Sequence, residues 1–332
     1  MFFGSRRRRV VAQRTNAHRA LLGVIVLLAI ACARDQTTDH PTRESTKSAI
    51  ELTDDAGNPV RLDHAAKRIV SLVPSATETL IAIGARNDLV GRTRYDTAAD
   101  VAALPSVGGG VDASVESIVN LRPDLVVTWQ SDARQVVRER LIALGVPVFV
   151  IKTEDTTDVF RGIASLGRLT ARDSQATAVA TAVRSTLDSV RRATAGRPMP
   201  TVLYVGYEDP PMSAGPTTFI GQLISLAGGR SVITDSSQLW PNIAMEEIVR
   251  RDPDILIVPV GETTKNPLVA LRERTGWRSL RAVRLGHVVS VPADLVNRPS
   301  PSIAQSARVL LSALHPELAD STRRPPDAKT AR

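Results

Sequence analysis

Side chains capable of covalent or metal chemistry are few and scattered in this sequence. The five histidines lie at unrelated positions: His18, His40, His64, His287 and His315. None of them has the spacing of metal ligands, and the chain contains neither a GxxxxGKS/T phosphate loop nor a GxSxG nucleophile turn. The glycine run 108–110 lacks the strand and helix that flank a dinucleotide-binding loop. We therefore predict a protein that is not an enzyme and holds no metal or resident cofactor.

The single cysteine, Cys32, stands at the end of an arginine-rich leader. The apolar stretch 20–31 is shorter than the ~20 residues that span a bilayer as a helix, which is typical of a signal peptide. Ala29 and Ala31 precede Cys32, an arrangement that resembles a bacterial lipoprotein cleavage site. We predict a signal peptide over 1–32, lipidation at Cys32 and a lipid-anchored protein of the periplasm or cell surface; a buried thiol is the alternative.

The positive charge of the chain is concentrated in that leader. The 332 residues carry a net charge of +8, but six arginines and no acid precede Cys32, which leaves 36 basic against 34 acidic residues in the rest. A near-neutral body with 3% aromatic residues lacks the cationic face and stacking platforms of a nucleic-acid binder. Residues 33–48 contain too little apolar surface to fold and are predicted to form a flexible tether.

Strands and helices alternate through the remainder of the chain. Residues 50–61 predict a hairpin around the turn 55–58, and 68–84 predict a strand, a Pro-Ser turn and a helix stopped by Gly84. Further apolar segments with strand character lie at 125–128, 146–151, 201–205, 255–260 and 287–291. Strands alternating with helices predict α/β sheets that are largely parallel.

One segment occurs twice in the same register. VESIVNLRPDLVV at 115–127 is echoed by MEEIVRRDPDILI at 245–257, and a helix ending in glycine and a short strand follow each copy. The repetition indicates two similar lobes.

Two helices are predicted between the copies, 157–169 and a second from Ser174 to about Ala195 with Asp173 as its cap. At 1.5 Å per residue the second helix is ~30 Å long, enough to bridge two domains as a strut. We assign 49–156 to an N-terminal lobe, 157–196 to linking helices, 197–315 to a C-terminal lobe and 316–332 to a disordered tail.

Five segments resemble, in order and spacing, the cobalamin and iron-siderophore binding proteins of ABC importers: RIVSLVPSATETLIAIG, LVG, VESIVNLRPDLVVTW, LISLAGG and MEEIVRRDPDILIV. The resemblance runs from about Ile50 to Leu314. It implies an α/β fold of two similar lobes with parallel-rich sheets joined by one long interlobe helix, the helical-backbone periplasmic binding protein fold. It also implies a monomer that captures a small molecule in the interlobe cleft and delivers it to the permease dimer of an ABC transporter.

The resemblance further implies that Glu116 and Glu246, at matching places in the two copies, dock the protein to its permease. A carboxylate in the first turn of a helix is stabilised by the helix dipole and can still reach an arginine on a partner. Helix capping alone is the alternative role for either glutamate.

Ligand-binding residues are expected in loops at the carboxyl ends of the strands, where open α/β sheets bind their ligands. The residues selected on this basis are Pro74, Ser75, Ala76, Thr77, Tyr95, Gly109, Trp129, Met212, Trp240 and Arg298. Tyr95 and Trp240 are the strongest candidates because aromatic faces suit a flat macrocycle. Ser75 and Glu78 also fit a capping box, which would give them only a structural role.

The ligand predicted first is cobalamin, because the PSATET turn, Tyr95 and the Trp-Pro pair at 240–241 resemble the cobalamin-binding branch. A ferric siderophore or haem is the alternative within the same fold. A tethered scaffold of an envelope complex is the alternative from a different functional class, and it would share the fold and the anchor.

Overall fold

A computed structural model of the protein describes residues 49–261 and 266–321. The predicted signal peptide, the tether and the lipidation site Cys32 lie outside the described residues. Among the helices that are described, none is both long enough and apolar enough to cross a membrane.

The N-terminal lobe carries a four-stranded parallel sheet. In chain order its elements are β1 (Ile50–Thr53), β2 (Pro59–Leu62), β3 (Ile69–Ser71), α1 (Pro74–Ala82), β4 (Leu89–Gly91), α2 (Val115–Asn120), β5 (Leu125–Trp129), α3 (Asp132–Ala143) and β6 (Val148–Ile151). The sheet has the strand order β4-β3-β5-β6. β1 and β2 pair antiparallel with Ile50 opposite Leu62, which confirms the predicted hairpin. Asp54 closes its turn by accepting the backbone N–H groups of Ala56 and Asn58.

Two helices link the lobes, α4 (Thr156–Leu169) and α5 (Asp173–Thr194). α4 begins with a capping box in which Asp155 and Asp158 each accept a backbone N–H of the other. α5 has 22 residues and is therefore about 33 Å long. The prediction of Asp173 as its cap was wrong: Asp173 is the first helical residue, and Arg172 before it makes no side-chain cap.

The C-terminal lobe repeats the architecture of the first. Its elements are β7 (Thr201–Tyr204), β8 (Tyr207–Glu208), β9 (Pro211–Met212), α6 (Phe219–Leu226), β10 (Arg230–Ser231), α7 (Met245–Arg251), β11 (Ile255–Val260), α8 (Pro267–Glu273), α9 (Arg281–Leu285), β12 (Val288–Pro292), α10 (Ala293–Val296), α11 (Ile303–Leu314) and α12 (Pro316–Ser321). The parallel sheet has the order β10-β7-β11-β12, so each strand has a counterpart in the order of the first sheet. α12 occupies the beginning of the segment expected to be a disordered tail.

The repeated sequence has the same structural role in both lobes. α2 and α7 are each followed by a residue of positive φ, Arg122 (+47°) and Asp252 (+37°), immediately before a proline. The aspartate after that proline then joins the central strands: Asp124 accepts the backbone N–H of Arg68 at 2.9 Å before β3, and Asp254 accepts that of Thr201 at 2.8 Å in β7. The repeat thus aligns the two middle strands of each sheet.

One continuous apolar core passes from lobe to lobe through the linking helices. It includes Ile69 in β3, Ile163 in α4, Leu187 in α5, Val202 in β7 and Leu310 in α11, all at most 6% exposed. Two smaller clusters fill the other face of each sheet, against α2 and α3 in the first lobe and against α7, α8 and α9 in the second. The inner faces of both sheets are therefore held on a shared helical backbone.

Candidate functional site

A cavity of about 450 Å³ lies between the lobes, within the range of ~300–1,000 Å³ found for small-molecule sites. The first lobe contributes the residues that follow β3, β4, β5 and β6, and the second those that follow β12. They are Val73, Pro74, Ser75, Arg94, Tyr95, Thr97, Trp129, Thr153, Ala293, Asp294, Asn297, Arg298 and Pro299. Every segment enters the cavity from the carboxyl end of a strand, as expected for an open α/β sheet.

Tyr95 and Trp129 provide the aromatic surface of the first wall. Trp129 ends β5, and Tyr95 is 55% exposed in the loop after β4. The guanidinium carbon of Arg94 lies 6.0 Å from the centre of the Tyr95 ring. This wall therefore presents flat apolar faces with a cationic group over one of them.

Gly109 supports that wall from behind. It is buried, and a Cβ atom at this position would lie 3.3 Å from Cε2 of Tyr95 and 3.4 Å from Cζ of Arg94. Arg94 in turn pairs with Asp112 at 2.5 Å, and this hydrogen bond lowers the pKa of the Asp112 carboxyl. A side chain at 109 would crowd all three neighbours, so glycine positions the wall without lining the cavity.

The second wall is the turn from α10 to α11. Asn297 in this turn accepts a hydrogen bond from the hydroxyl of Tyr204, which ends β7 and is 2% exposed. Burial raises the pKa of the Tyr204 hydroxyl, so it remains a neutral donor. The next residue, Arg298, is thereby attached to the rigid sheet of the second lobe.

Glu78 joins the two walls instead of capping a helix. Val73 is the N-cap of α1 and makes no side-chain cap, so the capping box considered for Ser75 and Glu78 is absent. Glu78 instead pairs with Arg298 at 2.8 Å and accepts a hydrogen bond from Ser300 at 2.5 Å. The first turns of α1 place this carboxylate beside the cavity.

Five of the ten residues selected from the sequence line the cavity: Pro74, Ser75, Tyr95, Trp129 and Arg298. Ala76 and Thr77 do not, because they are 0% and 1% exposed and support the start of α1 from inside the lobe. Met212 and Trp240 also lie outside the lining; Met212 pairs with Tyr207 in the β8–β9 hairpin, and Trp240 is 41% exposed on the second lobe.

Eight lining residues were missed: Val73, Arg94, Thr97, Thr153, Ala293, Asp294, Asn297 and Pro299. Asp294 carried a sequence signal, since it lies four residues before Arg298 and such a pair meets on one helical turn. Their observed distance is 3.0 Å. Thr153 follows a predicted strand, so the expectation that ligands bind at the carboxyl ends of strands would have selected it if it had been applied there.

A larger cavity of about 720 Å³ lies against α4, α5 and α6. Its residues, among them Phe160, Arg184 and Gln222, come mostly from the sides of helices, and none of them lines the cavity between the lobes. Because open α/β sheets bind at strand ends, the smaller cavity between the lobes is the stronger candidate despite its volume. In the described part of the chain no three His, Cys, Asp or Glu residues are grouped as they would be around a metal ion.

Glu116 and Glu246 occupy identical positions on equivalent helices. Each is the second residue of its helix, α2 or α7, and each is exposed. Neither forms an ion pair with another described residue, whereas the adjacent Glu247 pairs with Arg250 and Arg251, which lower its pKa to about 2. At this position each lobe therefore presents a carboxylate that has no ion-pair partner among the described residues.

Comparison with known proteins assigns the chain to one family. The periplasmic binding protein family matches residues 69–295. A cobalamin-binding protein of Halobacterium salinarum is 30% identical over 322 residues, covering 90% of this chain and 85% of that protein. An uncharacterised ABC transporter substrate-binding lipoprotein of Bacillus subtilis is 25% identical over 313 residues, covering 92% and 98%. The crystal structure of the periplasmic vitamin B12-binding protein of Vibrio cholerae has a TM-score of 0.64 at 24% identity, covering 78% of this chain and 99% of that one.

Proposed function

Because the chain belongs to the periplasmic binding protein family, we propose that it captures cobalamin or a related corrinoid between its lobes and delivers it to the permease of an ABC importer. The chain is a substrate-binding protein of the ABC importer class and not an enzyme.

The observation that carries the proposal is the cavity walled by both lobes, with Tyr95 and Trp129 exposed to it. Aromatic faces bind flat, largely apolar ligands, and a few polar groups at the rim fix their orientation. The relative from Halobacterium salinarum, which is named for cobalamin, supports a corrinoid as the first choice. A ferric siderophore or haem is the alternative that the same fold would accommodate.

Delivery is proposed to use Glu116 and Glu246. Their equivalent positions and unpaired carboxylates suit a permease dimer, whose symmetry presents the same arginine-bearing surface twice. Lipidation at Cys32 would keep the protein close to that permease, and the relative described as a lipoprotein supports this part of the proposal. A scaffold lipoprotein would have the same anchor without the need for these carboxylates.

The ligand is tested by titrating the protein with cyanocobalamin, haemin and a ferric hydroxamate while following tryptophan fluorescence. The chain has three tryptophans: Trp129 lines the cavity, Trp240 is partly exposed on the second lobe, and Trp277 is 2% exposed in the core. We expect saturable quenching by cyanocobalamin with one-to-one stoichiometry in calorimetry. Trp129→Phe should remove most of the quenching, and Trp277→Phe is the matched control that should not.

If haemin or the ferric hydroxamate binds saturably and cyanocobalamin does not, the ligand is an iron chelate, as in the alternative. No binding of any of the three would contradict the proposed ligand and leave the family assignment intact. Quenching that persists in Trp129→Phe and disappears in Trp240→Phe would place the ligand outside the cavity described above.

Docking is tested by the double charge reversal Glu116→Lys and Glu246→Lys in a strain that depends on this protein for uptake. Each lost charge-assisted contact costs about 1.5–3 kcal/mol, so uptake at limiting protein should fall by at least about tenfold. Ligand affinity should not change, because neither glutamate lines the cavity. Asp63→Lys, an exposed reversal on the first lobe, is the control; unchanged uptake in the double variant would refute docking through these two glutamates.

A further inference from the structure

A carboxylate of the first lobe holds an arginine of the second across the cleft. Glu78 and Arg298 are 220 residues apart in sequence, and Oε1 of Glu78 lies 2.8 Å from Nη1 of Arg298. Oε2 of Glu78 accepts the Ser300 hydroxyl at 2.5 Å. The two charged side chains are only 24% and 15% exposed, so solvent screens their attraction less than in a surface pair.

The other terminal nitrogen of the Arg298 guanidinium, Nη2, has partners as well. Nη2 donates to the backbone carbonyl of Tyr95 at 3.0 Å and pairs with Asp294 at 3.0 Å. Arg298 is therefore held by two carboxylates and one carbonyl, on both sides of the cleft. Its position in the cavity wall is defined by these partners before any ligand arrives.

The described residues that line the cavity include three charged side chains, Arg94, Asp294 and Arg298. Each arginine has a carboxylate partner, because Arg94 pairs with Asp112 at 2.5 Å and Arg298 pairs with Glu78 and Asp294. A polyanionic ligand in the cavity would therefore find both arginines already neutralised by carboxylates, and the nearby carboxylates would repel it. Like-charge juxtaposition of this kind is a recognised means of rejecting the wrong partner.

We propose that Glu78 is a specificity-determining residue of the cleft, because its ion pair with Arg298 positions the arginine, joins the lobes and neutralises the site. The cleft then accepts a bulky ligand with little negative charge, such as a corrinoid, and rejects anionic ferric chelates. This inference rests on the proposed function for the identity of the accepted ligand. The rejection of anions depends only on the charges of the site.

The test compares wild-type protein, Glu78→Gln and Glu78→Asp, each as the full chain in mild detergent, with ferric citrate and cyanocobalamin as probes in calorimetry. Glutamine keeps the size and an acceptor for Ser300 but removes the charge. We expect Glu78→Gln to gain at least about tenfold in affinity for ferric citrate at low salt, and the gain should shrink as salt screens it. Affinity for cyanocobalamin should fall, because Arg298 and the second lobe are less firmly positioned.

Two variants show whether the effect passes through Arg298. The double variant Glu78→Gln with Arg298→Gln should lose the gain for ferric citrate. Glu51→Gln is the matched control, since it removes the carboxylate of a 2.7 Å ion pair with Arg61 on the remote hairpin, and it should behave as wild type. If Glu78→Gln does not fold, Glu78→Asp, whose shorter side chain cannot reach both partners, should show a smaller gain in the same direction.

The inference is overturned if the Glu78 variants bind ferric citrate no better than wild type, or if the gain survives removal of the Arg298 charge. A merely structural role would weaken both ligands alike. Failure of the proposed function gives a different result. If wild-type protein does not bind cyanocobalamin and Glu78→Gln binds ferric citrate more tightly than wild type, the proposed ligand is refuted and the role of Glu78 is supported.

Discussion

The Asp254 carboxylate holds the start of β7 beside the start of β11. Its Oδ2 accepts hydrogen bonds from the backbone N–H of Thr201 at 2.8 Å and from the Thr201 hydroxyl at 2.6 Å. Its Oδ1 accepts a hydrogen bond from Nη2 of Arg281 at 2.5 Å. In Asp254→Asn only one acceptor oxygen remains, and the new NH2 group must face either Thr201 or Arg281, which are both donors. We expect this variant to be less stable than wild type.

The size of the loss follows from those contacts. A hydrogen bond to a charged group contributes about 1.5–3 kcal/mol, and an exposed ion pair adds about 0–1 kcal/mol. The side chain of Asp254 is 38% exposed, which favours the lower part of that range. We therefore expect a loss of about 1.5–2 kcal/mol, measured by urea unfolding followed by circular dichroism. The continuous core should make the transition a single one.

The pH dependence supplies a second test. The hydrogen bonds from Thr201 lower the pKa of Asp254 below its unfolded value of about 3.9. Its contribution is thus complete above that value and is lost as the pH falls through the lower, folded pKa. Asparagine does not titrate, so the difference between wild type and variant should be constant from about pH 7 to 5 and should shrink below about pH 4.

The matched control is Asp188→Asn, which removes an exposed ion pair with Arg191 on α5 and should cost at most about 0.5 kcal/mol. If Asp254→Asn loses no more unfolding free energy than this control, Asp254 does not hold β7 beside β11 as described above. A large loss that does not diminish in acid would show that the charge of Asp254 is not its cause.

Three further predictions concern the core, the second lobe and the anchor. Phe149→Ala removes a ring that is 1% exposed in β6 and should destabilise the protein by about 3–5 kcal/mol in urea unfolding; a loss below about 1 kcal/mol would contradict its place in the core. Gly215→Ala places a Cβ atom against the backbone carbonyl of Gln238 and should cost about 1–3 kcal/mol by thermal unfolding; unchanged stability would mean that this loop yields easily. Cys32→Ser should abolish incorporation of labelled palmitate in cells, and labelling that persists would refute lipidation at this residue.

Much of the fold could be predicted because local patterns agree with the tertiary arrangement. The repeat at 115–127 and 245–257 indicated two similar lobes, and the sheets have matching strand orders. The short strands were missed: β10 has two residues and β4 has three, so neither is long enough to show a period of two. Their existence depends on pairing with β7 and β3, which no local pattern specifies.

The candidate site was predictable only in part, for a similar reason. The rule that ligands bind at the carboxyl ends of strands selected Tyr95, Trp129 and Arg298, which line the cavity, but the residues after β6, where Thr153 lies, were not chosen. It could not separate Ala76 and Thr77, which face the interior, from Ser75 beside them, because the rotation of α1 is set by its packing on the sheet and on α4. Trp240 was selected by the same expectation but does not line the cavity.

The sequence by itself determined most of the longer strands and helices, that the lobes are duplicates, and that the body is nearly neutral, since these properties depend on composition, periodicity and repetition. The tertiary structure decided which side chains meet. Glu78 looked like a capping residue in the sequence, and only the approach of the second lobe shows it paired with Arg298. The physical reason is that the interactions of a charged side chain depend on distance in space, and residues 220 positions apart become neighbours only when both lobes pack on one helical backbone.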